Sequence, residues 1–171
     1  IFEFLFIKSK RVILADITPV TQALDRLNVP YRTFKHPGPV NSLEQAARER
    51  GQSSDQVVRS IVFRVAKDEF IMVCIAGDRQ VAWPILRRYL AQSRVSMASE
   101  AEVQAATGYQ RGAVSPFGLP QPMRILLDHT VLSQTEISIG SGVRGITVII
   151  QSDDLKRALG DVEIGDFGEG D

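Results

Sequence analysis

The sequence predicts an α+β domain, and three observations carry that prediction. Runs of β-branched residues outnumber helical patterns, the two kinds are mixed without regular strand–helix alternation, and no internal repeat is visible. The 171 residues, 44% of them hydrophobic, suffice for one core but not for two ordinary domains.

Residues 18–27 (TPVTQALDRL) predict the first helix. Thr18 is a cap, Pro19 sits at the first helical position, and Val20, Ala23, Leu24 and Leu27 share one face; Pro30 stops the run. A short strand over 31–36 and a Pro37-Gly38-Pro39 turn follow. Residues 42–50 predict a second helix, with a serine cap, Gln45 three residues on and Gly51 at its end. Residues 57–65 and 69–75 read as an antiparallel pair turning at Lys67-Asp68. Next come a helix over 84–91, a strand over 94–97, and a helix over 99–107 with Ser99 and Glu102 in capping-box spacing. Strands over 124–127, 137–139 and 146–150 and a short helix over 153–159 complete the pattern.

The organisation expected is a leader over 1–16, non-native or disordered, one domain over 17–160, and an acidic tail over 161–171. The leader opens IFEFLFI, and its basic residues follow the apolar run, the reverse of a signal peptide. The tail holds five acids, three glycines and no base, and is expected to fray.

Twenty basic and twenty acidic residues give zero net charge, which excludes a strongly basic nucleic-acid coat and an acidic disordered protein. The charges are unevenly spread: residues 1–64 hold 10 basic and 6 acidic side chains, residues 121–171 hold 4 and 9. One cysteine, Cys74, precludes an internal disulfide, and with only His36 and His129 beside it no metal-ligand spacing arises, so no metal or cofactor is expected. Cys74 reads as a buried inert thiol, and the two histidines as surface or hydrogen-bonded groups. No apolar run approaches the ~18 residues of a membrane span, and a reducing, cytoplasmic setting with neither membrane nor DNA as partner is expected.

One segment stands out. Residues 108–122 (GYQRGAVSPFGLPQP) hold three glycines and three prolines in 15 residues between a helix and a strand. Loops of this length in a compact domain are uncommon and often functional. Gly112-Ala113-Val114-Ser115-Pro116 is a candidate for several N–H groups aimed at one point, able to hold an anion or a developing oxyanion. A rigid structural connector is the competing reading of the same composition. Ser115 lacks a nucleophile-elbow pattern. Gly140-Ser141-Gly142 reads as a hairpin turn, and no phosphate-binding fingerprint occurs.

Taken in order, V-V-R-S-I-V-F-R (57–64), residues 94–98, T-G-Y-Q-R-G-A-V-S-P-F-G (107–118), the strand 125–128, Ile139-Gly140 and residues 146–155 resemble the YbaK/prolyl-tRNA-synthetase-associated editing-domain family over about residues 17–160. Gly112 and Pro116 carry that family's G-x-x-x-P motif. The resemblance implies a mixed, partly barrel-like β-sheet flanked by helices. It also implies a free-standing trans-editing hydrolase that deacylates mischarged aminoacyl-tRNA, typically tRNA for proline bearing alanine or cysteine. Aminoacyl-tRNA is then the expected partner, with an aminoacyl-tRNA synthetase as a second. Arg59 stands where the family has a lysine. Arginine keeps the charge but differs in shape, and is not a conservative replacement at a tight site.

Because the chain offers no Ser-His-Asp set and no metal cluster, the expected chemistry relies on backbone donors and the substrate's own ribose hydroxyl. The catalytic candidates are Arg59, Gly112, Ala113, Val114 and Ser115; the substrate-binding candidates are Ser60, Pro116, Asp128 and Gly140. Phe63, Val114, Met123 and Leu127 are candidate wall residues. Two other readings remain: a catalytically silent module that binds an RNA end, a nucleotide or a synthetase, and an interaction protein that docks through Ile1–Ile7.

Overall fold

A computed structural model describes residues 16–170 of the chain; the apolar opening of the leader, over 1–7, lies outside the described residues. Five helices, α1 (Pro19–Arg26), α2 (Leu43–Glu49), α3 (Trp83–Leu90), α4 (Glu100–Thr107) and α5 (Ser152–Leu159), alternate irregularly with eight strands. The strands are β1 (Arg32–Lys35), β2 (Val58–Ala66), β3 (Glu69–Ala76), β4 (Ser96–Met97), β5 (Arg124–Asp128), β6 (Glu136–Gly140), β7 (Ile146–Gln151) and β8 (Glu163–Gly165).

Local signals account for most boundaries. Thr18, Ser42 and Ser99 each accept a hydrogen bond from the amide three residues on, satisfying donors the first turn leaves unpaired. Asp68 takes a left-handed φ of 55° in the β2–β3 turn, a conformation a short polar side chain tolerates. The strand read over 94–97 shrinks to Ser96–Met97, because only these residues find partners on β2.

Among the described residues the strands form two sheets, ordered β1-β7-β6 and β4-β2-β3-β5-β8, joined by a parallel bridge from Val57 to Ser138. The barrel character is therefore partial: the sheets meet along one seam and do not close. Alternation along β2 and β3 sends successive side chains to opposite faces. Val58, Val62, Met72, Cys74 and Ala76 join Ile137, Ile139, Val148 and Ile150 of the smaller sheet in one core. Phe63, Val65, Ile71, Val73 and Ile75 join Leu86 of α3 and Phe167 in a second. With both faces covered, β3 is buried from Ile71 to Ala76.

The described part of the acidic tail, residues 161–170, is seated on the domain, contrary to what its composition suggests. β8 pairs in parallel with β5, Gly168 bridges to Val81, and Phe167 is 1% exposed in the second core. One apolar ring is enough to seat a segment that is otherwise charged and glycine-rich.

Candidate functional site

A cleft of about 430 Å3 opens where β2, β6 and the start of β7 meet α2 and the 108–122 loop. Its inner wall is apolar, with Val58, Val62, Val103 and Ile139 all buried. Among the described residues its titratable lining consists of Arg50, Arg59, Arg111 and His36, with no carboxylate.

The 108–122 loop is held rigidly. The Tyr109 hydroxyl donates to the Phe117 carbonyl at 2.6 Å, closing the loop on itself, and burial pushes this phenol up to about 12. The Ser115 hydroxyl accepts from the Phe117 amide, and the Gly142 amide donates to the Ala113 carbonyl. Arg144 grips the Arg111 carbonyl through Nε and Nη2. Gly140 lets β6 lie directly under the loop: a Cβ there would fall 2.2 Å from the Val114 oxygen and 2.8 Å from the Ala113 oxygen. Gly112 has φ +90° and open space around its missing Cβ, so its role is conformational.

The four amides before Pro116 divide. That of Ala113 is consumed by the Gln110 carbonyl at 3.0 Å, while those of Gly112, Val114 and Ser115 have no hydrogen-bond partner among the described residues. Gly112 and Val114 line the cleft; Ala113, Ser115 and Pro116 stand behind it, buried. The Ser115 hydroxyl braces the loop, so any chemistry from this residue would be its amide's.

Arg59 borders the cleft, but its guanidinium turns toward the segment after β3. Nε donates to the Gly77 carbonyl at 2.8 Å and Nη2 to that of Arg79. Partial burial lowers its pKa from the ordinary arginine value. Ser60 lines the cleft from the same strand, its Oγ 3.6 Å from Cys74 Sγ. Cys74 is the buried inert thiol expected, pushed by desolvation to about 11.

Asp128 requires correction. It is fully buried away from the cleft and serves as a structural hub: both its oxygens accept from Arg79 Nη1, and it also accepts from the amides of Phe167 and Thr130. Of the proposed walls only Val114 lines the cleft. Phe63 belongs to the second core, and Leu127 and Met123 to the first. Ligand atoms of Asp128, His129 and Asp166 lie within 4.8 Å of one another, but the Arg79 guanidinium bridges the two carboxylates and already supplies the positive charge.

The sequence reading missed a polar wall of the cleft. His36 is a hydrogen-bonded histidine, as expected, but it also lines the cleft. Its Nδ1 pairs with the Glu49 carboxylate, and its Nε2 faces Thr147 Oγ1 at 3.3 Å and Arg50 Nη1 at 3.1 Å. This pairing holds the Glu49 carboxyl below its usual range. Arg50 donates onward to Ser138 at 2.9 Å and to Gln52 at 3.1 Å. Ser138 is 88 residues from Arg50, so no local pattern could have announced the wall.

The model of the aminoacyl-tRNA editing domain family matches residues 37–158. A proline–tRNA ligase of Brachyspira hyodysenteriae is 28% identical over 105 residues, 61% of this chain and 18% of that enzyme. The chain spans about a fifth of the length of the first such ligases it matches. The prolyl-tRNA editing protein ProX of Acetoanaerobium sticklandii is 24% identical over 145 residues, 82% of this chain and 88% of that one. The multifunctional Ser/Thr-tRNA deacylase ProXp-y of Escherichia coli is 25% identical over 138 residues, 78% and 82% of the two chains. A crystal structure proposed to be a trans-editing enzyme for prolyl tRNA synthetase superposes with a TM-score of 0.80 at 24% identity, covering 89% and 96%; this likeness speaks to the fold alone.

Proposed function

The chain belongs to the aminoacyl-tRNA editing domain family, and we propose that it is a trans-acting hydrolase that removes a small, wrongly attached amino acid, alanine or cysteine, from tRNA for proline. The cleft carries this reading: among the described residues it is apolar inside, arginine-lined, free of carboxylates, and bordered by backbone amides without partners. An uncharged aminoacyl side chain suits the inner wall, and a polyanionic RNA end suits the arginines.

Hydrolysis here needs a positioned water and support for a tetrahedral oxyanion. Water oxygen bonds to the ester carbon, the carbon–oxygen bond to the ribose breaks, and the ribose oxygen recovers a proton. The amides of Gly112 and Val114 donate to the developing oxyanion, with Ser115 as the third candidate. The neighbouring ribose hydroxyl orients the water, in place of a protein base. Of the five N–H groups of Arg59, two serve the carbonyls of Gly77 and Arg79, leaving three for the terminal nucleotide or the ester carbonyl. Gly140 acts indirectly, by seating the loop.

The direction of the Arg59 guanidinium also favours a second reading, a catalytically silent module that binds an RNA end, a nucleotide or a synthetase. The test is a panel of alanyl-, cysteinyl-, seryl- and prolyl-tRNA for proline, scored by loss of the ester. Release of alanine or cysteine with prolyl-tRNA spared is the expected result. Binding without release of any amino acid would select the silent module instead. Arg59→Ala should abolish release and Arg59→Lys should preserve or raise it.

A further inference from the structure

Arg50 closes the second helix and faces the cleft with an unusual set of partners. Its guanidinium is half-buried, and every hydrogen bond it makes among the described residues is to a group other than a carboxylate: the Gln52 amide, the Ser138 and Thr147 hydroxyls, and His36 Nε2. Among the described residues it forms no ion pair. A partly desolvated cation without a carboxylate is unfavourable unless something else brings negative charge to it. Glu49, the adjacent acid, is engaged with His36 Nδ1 and Gln45 and acts on the guanidinium only through space, without a hydrogen bond to it.

The His36 side chain is 4% exposed. With Nδ1–H donating to Glu49, Nε2 is the acceptor that receives the Arg50 N–H. The imidazole therefore aims the arginine, and its closed position leaves it no access to a reacting water. Three elements converge on the same guanidinium: β1 and its exit through His36, β6 through Ser138, and β7 through Thr147.

We infer that Arg50 is the cleft's phosphate anchor, binding a phosphodiester at the 3′ end of the tRNA through its remaining Nη2–H, with His36 and Glu49 as the positioning pair that holds the guanidinium. This rests on the editing reading above, and it adds a binding residue from outside the 108–122 loop. The anchor then holds the RNA end while the amides receive the ester oxygen.

The test uses an acceptor-stem RNA in which each of the last three linkages is, in turn, a neutral methylphosphonate. Binding of the uncharged RNA and ester loss from the alanylated RNA are measured on the same preparations. For the wild type, one linkage should lower affinity by about tenfold or more when neutralised, the effect of losing a charge-assisted hydrogen bond. Arg50→Gln should bind the unmodified RNA that much more weakly and be indifferent to that linkage. Arg50→Lys should recover part of the affinity. His36→Phe should raise KM, leave kcat near wild type and blunt the linkage effect, a pattern that mere destabilisation would not give. If no linkage matters to the wild type, or if Arg50→Gln keeps the full linkage effect, the anchor is refuted even where ester loss proceeds. If the wild type binds with the linkage effect but releases no amino acid, the anchor stands and the hydrolase reading falls. If the wild type does not bind the RNA, both fall.

Discussion

Adding one methyl group at Gly140 probes the closest approach in the site. The new Cβ would lie 2.2 Å from the Val114 carbonyl oxygen, 2.8 Å from that of Ala113 and 2.9 Å from the Ala113 carbonyl carbon. All three are backbone atoms, so no side chain can swing aside. Restoring a separation of about 3.5 Å needs a relative shift on the order of 1 Å between β6 and the loop. The Gly142 amide bond to Ala113, 2.9 Å long, lies on the same seam and must stretch with it. Overpacking of this kind costs about 1–3 kcal/mol. In a chain of this size that is a fall in Tm of about 2–4 °C per kcal/mol. The chemistry should suffer more, since a displacement of ~1 Å in a positioning element can cost on the order of a hundredfold in rate. Gly140→Ala should thus melt a few degrees lower and lose about two decades of single-turnover ester release, with binding of uncharged RNA largely kept. A variant with an unaltered melting curve and full release would refute the claim that the loop rests on β6.

Gly112→Val tests the loop from its other side: the surround has room for the side chain, but valine at φ +90° strains the backbone, so the variant should melt lower and ester release should fall on the order of a hundredfold. Retained turnover would remove the Gly112 amide from the mechanism. Asp128→Ala should leave Arg79 without its buried partner and cost about 3–5 kcal/mol in urea unfolding. A loss below about 1 kcal/mol would show that Asp128 does not organise the tail. Cys74 should resist thiol reagents in the folded protein at neutral pH. Because its folded pKa is raised from about 9 to about 11, its contribution is complete below pH 9 and is lost as pH climbs toward 11. Wild-type urea midpoints should fall across that window more steeply than those of Cys74→Ala; equal slopes would contradict the assignment.

Much of the fold was legible because its signals are local. Thr18, Ser42 and Ser99 announced three helix starts through short-range hydrogen bonds, and Lys67-Asp68 announced the β2–β3 turn. The loop stood out by composition, and the family pattern marked Gly112 and Gly140. Sheet order had no such signal: β1 pairs with β7 more than a hundred residues away, joining Arg32 to Ile149. The same limit hid Arg50 and His36, whose partners Ser138 and Thr147 come from strands late in the chain. Asp128 misled for a different reason. A carboxylate at the end of a strand looks the same whether it faces a ligand or an arginine, and only the folded position of Arg79, 49 residues earlier, decides. The tail misled because its average polarity concealed Phe167.

That last ring sets where the domain can be cut. The family match stops at residue 158, yet β8 and Phe167 lie beyond it. A graft or fusion ended at that point would strip the neighbour from β5 and open a ring-sized hole beside α3. The bared strand would invite sheet-to-sheet sticking between copies. Anyone transplanting this unit should carry the chain through Glu169, whose amide closes the seam on Gln80.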